Sequence, residues 1–74
     1  MNGSLIDEIR REGMCVCIDV IGITLRFYTP VFSISDIHAI AVNEFNASQS
    51  DLVKITQLYS QGVPEDYEKD IYEG

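Results

Sequence analysis

The segment from Met14 to Tyr28 constrains the fold of this chain more than any other. It is dense in β-branched and aromatic residues, and apolar side chains recur at every second position on either side of Gly22, which is typical of strands with one buried face. Before the glycine, the apolar positions are Met14, Val16, Ile18 and Val20. After it, they are Ile23, Leu25 and Phe27. The segment therefore predicts an antiparallel β-hairpin with one apolar face.

The register of this hairpin depends on which of two conflicting signals is stronger. Pairing Val20 with Ile23 keeps the apolar side chains on one face, but a tight turn then requires a positive φ at the β-branched Ile21. A bulged three-residue loop suits Gly22 better, but it pairs Asp19 with Ile23 and puts a carboxylate among apolar side chains. Burying an unpaired charge costs more than the ~1 kcal/mol of an awkward turn residue. We expect the apolar-face register, with a four-residue loop or a bulge near Gly22; one bent strand is the alternative.

Three serine–aspartate pairs predict where helices begin. In each pair the serine precedes the aspartate by three residues, ahead of apolar side chains at helical spacing, as in a capping box. The pairs are Ser4 with Asp7, Ser33 with Asp36, and Ser48 with Asp51. They predict helices over about residues 5–12, 36–45 and 49–61, and Pro64 predicts a short fourth helix ending near Tyr72.

The 74 residues, with an ordinary apolar share, predict one small α+β domain over residues 1–74. The expected order is α-β-β-α-α-α, an antiparallel β-hairpin covered on one face by helices, with residues 63–74 as a short acidic C-terminal helix or tail. The first helix would end at Gly13 with Arg10 and Arg11 pointing outward. A core of this size supplies only ~3–5 kcal/mol of net stability, so we expect either stabilising staples or an oligomer.

The cysteines and the hydropathy pattern bear on the compartment. No run of eighteen apolar residues occurs, and the N-terminus lacks the pattern of a signal peptide, so we expect a protein that neither spans a membrane nor is secreted. Cys15 and Cys17 stand in C-x-C spacing and could form a disulfide only with strain. Free thiols in a reducing, cytoplasmic location are therefore expected.

Catalysis and metal binding find little support in the sequence. His38 is the only histidine, and nothing in the sequence couples it to Cys15 or Cys17 as a base to a nucleophile. A structural zinc site needs four ligands, and only His38 would join the two cysteines. Glycine motifs for phosphate and calcium loops do not occur. We expect no enzyme activity and no cofactor, with the cysteines acting as small packing residues.

Acidic residues are concentrated at the C-terminal end. Residues 65–74 hold five acidic residues against one lysine, a net −4 out of the formal −7 of the whole chain. They would either form a solvated surface that keeps the protein soluble, or dock onto a basic partner protein, such as one that handles nucleic acid. Tyrosines among them would add contact area at low entropic cost. The candidate partner-binding residues are Glu65, Asp66, Tyr67, Glu68, Asp70, Tyr72 and Glu73.

Two further surfaces are candidates. The second face of the hairpin is too apolar to be purely solvated, and free sheet edges invite another strand. Its candidate contacts in a homo-oligomer or a second interface are Cys15, Cys17, Arg26 and Tyr28. Residues 36–61 also fit a helix-turn-helix template, but Lys54 is the only basic residue of the would-be recognition helix, and DNA repels an acidic chain.

These features predict a non-enzymatic protein–protein interaction module. The expected role is that of an accessory or inhibitor protein, of the kind that viruses and mobile elements encode, occupying a basic surface of a partner. The alternatives are a helix-turn-helix DNA-binding regulator acting as a dimer, and a structural subunit of a homo-oligomeric assembly.

Overall fold

The computed structural model describes residues 3–61, which form a three-stranded antiparallel sheet and two helices. In chain order the elements are β1 (Ile6–Glu12), β2 (Cys15–Val20), β3 (Ile23–Tyr28), α1 (Ile34–Phe45) and α2 (Gln49–Ser60). The strands lie in the order β1-β2-β3. The α+β class is confirmed, whereas the four predicted helices exceed the two that the structure shows. The predicted fourth helix and the acidic residues at 65–73 lie outside the described residues.

The prediction of a helix over residues 5–12 is wrong, because this segment forms β1. The Ser4 hydroxyl accepts a hydrogen bond from the Ile6 amide at 3.1 Å. The Asp7 carboxylate accepts one from the Ile21 amide at 3.2 Å, across the sheet. The two side chains that suggested a helix cap therefore hold the start of a strand instead.

The burial of β2 supplies the physical reason for this third strand. Val16, Cys17 and Ile18 are fully buried in succession, so β2 is covered on both faces. The backbone groups of such a strand need hydrogen-bond partners at both edges, and β1 supplies the second edge. Gly13, at φ 59°, is the first residue of the two-residue turn between β1 and β2 and not a helix cap.

The register predicted for the hairpin is confirmed. The pairs on the apolar face are Val20 with Ile23, Ile18 with Leu25, and Val16 with Phe27. The turn differs from the expectation, since Ile21 and Gly22 alone connect the strands, with φ values of 48° and 78°. Holding a β-branched residue in the left-handed region costs about 1–2 kcal/mol, and the gain from aligning the apolar face exceeds that cost.

Both predicted capping boxes beyond the sheet are confirmed. The Asp36 amide donates to the Ser33 hydroxyl at 3.1 Å, and the Ser33 amide donates to the Asp36 carboxylate at 3.3 Å. Ser48 and Asp51 repeat the arrangement at the start of α2, at 3.2 and 3.0 Å. Asn46, at φ 54°, ends α1 in the left-handed conformation, as expected for asparagine.

The helices cover one face of the sheet and leave β3 the least covered strand. The core consists of Ile9, Val16, Ile18, Val20, Phe27, Ile37, Ala41 and Ile55. α2 packs against β1, β2 and α1, whereas β3 makes its extensive contacts with β2 alone. Beyond β3, the rings of Phe27 and Phe32 meet edge to face at 5.4 Å, and the Tyr59 hydroxyl donates to the Phe32 carbonyl at 3.0 Å. These contacts tie the end of α2 to the loop that follows β3.

Candidate interaction surfaces

Charged side chains form a network on the sheet face that the helices leave open. Arg10 on β1 contacts Asp19 on β2 at 2.5 Å and Glu12 at 2.7 Å. Arg26 on β3 lies 3.5 Å from the second oxygen of Glu12. The Thr24 hydroxyl donates to Asp19 at 2.6 Å. The network therefore links all three strands across the open face.

The same contacts shift the pKa values of the network. The hydrogen bond from Thr24, followed by that from Arg10, holds the pKa of Asp19 below its ordinary value of 3.8. The hydrogen bond from Arg10 also lowers the pKa of Glu12. In return, Glu12 and then Asp19 raise the pKa of Arg10. All three groups are charged at neutral pH, a state that suits ion pairing and not proton transfer.

The two cysteines of the open face differ in burial. Cys17 lies beneath the charged side chains with no exposed surface, whereas Cys15 is half-buried, and both are free thiols. Burial, and after it the charge of Glu12, raises the pKa of the Cys17 thiol. A buried thiol with a raised pKa is a poor nucleophile and metal ligand, so Cys17 acts as a packing residue.

His38 and the metal-binding side chains show no catalytic arrangement in the described part of the chain. The Nε2 atom of His38 lies 3.0 Å from the Thr56 hydroxyl, a contact that joins α1 to α2. Among residues 3–61, no group of three or more histidine, cysteine or acidic side chains is placed to hold a metal ion. His38 thus contributes to the packing of the helix pair.

The second interface predicted from the sequence has only part of its residues at the surface. Arg26 and Tyr28 are exposed, Cys15 is half-buried and Cys17 is buried. A partner on this face would therefore meet Arg26 and Tyr28 and would not reach Cys17. The proposed contact of this face with a second copy or a partner stays a prediction.

Arg11 lies on the opposite face from the one predicted. Because β1 pairs Arg11 with Val16, its side chain is on the helix-covered side and not outward. Its Nε atom donates to the Gly13 carbonyl at 2.7 Å, and its Nη1 atom donates to the Leu58 carbonyl at 3.4 Å. A cation is favourable near the C-terminus of a helix, so Arg11 joins β1 to the end of α2.

An apolar groove along β3 is a surface that the sequence did not indicate. It has a volume of about 290 Å³ and is lined by Val20, Ile21, Ile23, Leu25 and Phe45. Ile21 and Ile23 are 69% and 62% exposed. The alternation of apolar residues in the hairpin assigns Ile23 to the covered face. Only the position of the helices shows that they do not cover the end of β3 that contains Ile23. We call this feature the β3 groove.

The helix pair offers little positive surface to a nucleic acid. α1 and α2 pack together, joined by residues 46–48. Lys54 is exposed and is the only basic residue of α2, while the Asp51 carboxylate lies in the first turn of the helix and accepts from the Ser48 amide. Strong phosphate binding needs several cations on one surface, and α2 supplies one.

Comparison with known proteins leaves the chain without a relative to argue from. No protein-family model matches it, and no match was found among the curated proteins or the solved structures. Among residues 3–61, the helices are too short or too polar to cross a membrane. The surfaces of the chain itself therefore carry the functional proposal.

Proposed function

We propose that this chain is a non-enzymatic protein–protein interaction module that occupies a basic surface of a partner protein. The observation that carries the proposal is the use the fold makes of its arginines. Arg10 and Arg26 face carboxylates of their own sheet, and Arg11 donates to two backbone carbonyls. Of the basic side chains at residues 3–61, only Lys54 lies outside these contacts. The positive side chains of the described residues are therefore mostly engaged within the fold, on a chain whose formal net charge of −7 already counts them.

The C-terminal acidic residues supply most of the binding charge in this proposal. Residues 65–74 carry a net −4, and Tyr67 and Tyr72 stand among their acidic side chains. A carboxylate-rich segment with aromatic side chains suits a basic protein surface, since charge steers the encounter and tyrosine adds buried contact area. The proposed contacts are Glu65, Asp66, Tyr67, Glu68, Asp70, Tyr72 and Glu73.

The partner is a protein whose basic site normally faces a polyanion. An acidic module of this kind competes for that site, which is the action of an inhibitor or accessory protein, such as viruses and mobile elements encode in the cytoplasm of their hosts. The helix-turn-helix alternative requires attraction to DNA. The negative charge of the chain and the single lysine of α2 oppose that attraction.

Anisotropy titrations of the labelled full chain test the proposal. A lysine-rich peptide is the probe for the proposed function. A DNA duplex, titrated separately, is the probe for the DNA-binding alternative, and both titrations start at low salt. We expect binding to the peptide that weakens as salt rises, and no binding to the duplex. Binding to the duplex instead would contradict the proposal and support the DNA-binding regulator.

Matched variants locate the binding charge. Glu65→Gln with Glu68→Gln changes the charge by two in the C-terminal segment, and Glu8→Gln with Glu44→Gln makes the same change on the exposed body. The proposal predicts that the C-terminal pair weakens binding to the peptide several-fold more than the body pair. Equal losses would show that only overall charge matters, and the assigned residues would be wrong.

A further inference from the structure

The outer edge of β3 is open to another strand. Val20 and Ile23 close a two-residue hairpin and so form a hydrogen-bonded pair, after which hydrogen-bonded and non-hydrogen-bonded pairs alternate. The backbone groups of Thr24 and Arg26 therefore point away from β2. In the part of the chain that the structure describes, no strand pairs with this edge. With no proline and one charged side chain, β3 lacks the usual protection against strand pairing.

Exposed apolar side chains cluster around the same strand. Among the described residues, eight large hydrophobic side chains are exposed, and half of them lie on β3 or within three residues of it: Ile21, Ile23, Tyr28 and Val31. Ile21 is the most unusual, because a β-branched residue is held at φ 48° while its side chain is 69% exposed. Isoleucine is favoured there neither by its backbone preference nor by burial within the chain. A partner that covered this side chain would favour an apolar residue at the position.

We propose that a second copy of this chain pairs with it antiparallel along β3, about a two-fold axis at Leu25. This register places Leu25 opposite Leu25 of the second copy and Ile23 opposite Phe27, so the apolar face continues across the contact. It also places Thr24 opposite Arg26. Moving the axis to Arg26 would set two guanidinium groups against each other, which is unfavourable.

Charge complementarity on the open face favours the same register. Within each copy, the Thr24 hydroxyl donates to the Asp19 carboxylate. Arg26 of the second copy would lie opposite Thr24, and its positive charge would therefore come near the negative charge of Asp19. At each end of the contact, the antiparallel arrangement brings Ile21 of one copy towards Tyr28 and Val31 of the other. The dimer would thus cover the exposed apolar residues around β3 and join two three-stranded sheets into one of six strands.

The proposed dimer goes beyond the proposed function and does not require the acidic C-terminal residues. The two interactions also respond to salt in opposite directions. Each copy carries a formal charge of −7, so salt screens the repulsion between copies and strengthens the dimer, whereas it weakens binding to a basic partner. Failure of one proposal is therefore distinguishable from failure of the other.

Sedimentation equilibrium of the full chain, at increasing concentration and at low and high salt, tests self-association. We expect the mass to rise from 8.3 kDa towards twice that value, with more dimer at high salt. A mass of 8.3 kDa at the highest concentration in high salt would overturn the proposal.

Disulfide trapping tests the register. In a background with Cys15→Ser and Cys17→Ala, Leu25→Cys should crosslink to a dimer on oxidation, because a non-hydrogen-bonded pair sets the Cα atoms about 4.5 Å apart, within disulfide range. Should that variant not fold, mixing Thr24→Cys with Arg26→Cys in the same background gives a second measurement. The mixture should crosslink several-fold more than either variant alone. Absence of these crosslinks, or equal crosslinking of Thr24→Cys by itself, would overturn the register.

Discussion

The two faces of the sheet are held by different physical forces. The covered face is held by apolar side chains from the sheet and both helices. Fully buried examples are Ile18 on β2, Ile37 on α1 and Ile55 on α2. On the open face, Arg10 and Asp19 form an ion pair whose side chains are partly exposed. Burial of large apolar side chains contributes far more than exposed ion pairs, which water and salt screen. The comparison indicates that the covered face determines the fold, while the open face ties the edge strands to β2.

The largest expected effect is that of Ile18→Ala at the centre of the covered face. Removing a fully buried isoleucine side chain typically costs about 2–5 kcal/mol, which is comparable to the whole stability expected of a domain this small. Urea unfolding should show the variant largely unfolded without denaturant. The control is Ile23→Ala, the same change at an exposed position, measured at low protein concentration. Equal losses at the two positions would contradict the division between the faces.

The hairpin tip offers the next largest effect, in the stabilising direction. Ile21→Asn keeps the amide that donates to Asp7 and replaces a β-branched residue at φ 48° with one that tolerates the left-handed region. We expect the free energy of unfolding to rise by about 1 kcal/mol. Thermal or urea unfolding of dilute protein measures it. A clear loss of stability would show that the turn is not strained and would contradict a cost at Ile21 that the apolar-face register must exceed.

The contribution of the open face to the free energy of unfolding should be lost in acid. The folded pKa of Asp19 lies below its ordinary value of 3.8, so its contribution to stability is complete above that pH and is lost as the pH falls through the folded pKa. Glu12 behaves in the same sense, because its pKa is also lowered. In Asp19→Asn, the free energy of unfolding should fall less steeply with acid than in the unchanged protein. Glu44→Gln, on the exposed side of α1, is the control, and an identical acid slope in Asp19→Asn and the unchanged protein would contradict the role of the network.

The smallest effect is expected for Arg26→Ala at the rim of the open face. The Arg26–Glu12 pair spans 3.5 Å between exposed side chains, and such pairs contribute little. The unfolding midpoint should stay close to that of the unchanged protein. Any small difference between the two midpoints should disappear as salt is added. A loss approaching that of Ile18→Ala would mean that the open face holds the fold as strongly as the covered one.

The sequence predicted those parts of the fold in which local and long-range signals agree. The alternation of residues 14–28 predicted the register, and the pairs Ser33–Asp36 and Ser48–Asp51 predicted two helix starts. β1 was missed because Ile6 and Ile9 stand three apart, as on a helix, while the bulge between Ile6 and Glu8 hides the period of two.

The β3 groove could not be predicted for a related reason. Nothing local to Ile23 distinguishes it from Ile18, since both lie at apolar positions of the same hairpin. Its exposure depends on α2 docking over β1 and β2 and not over β3. The acidic C-terminal segment, by contrast, was recognisable from composition alone, and its residues lie outside the described part of the chain.

Thiol labelling tests most directly the central claim, that β2 is the middle strand of the sheet, paired with β1 at one edge and buried on both faces. Cys17 is fully buried under the contacts between β1 and β3, and Cys15, two residues away on the same face, is half-buried. Alkylation of the native protein, followed by mass spectrometry of its fragments, should modify Cys15 and leave Cys17 unmodified until denaturant is added. Modification of native Cys17 at the rate of Cys15 would show that the first strand does not cover β2, and it would contradict the fold described.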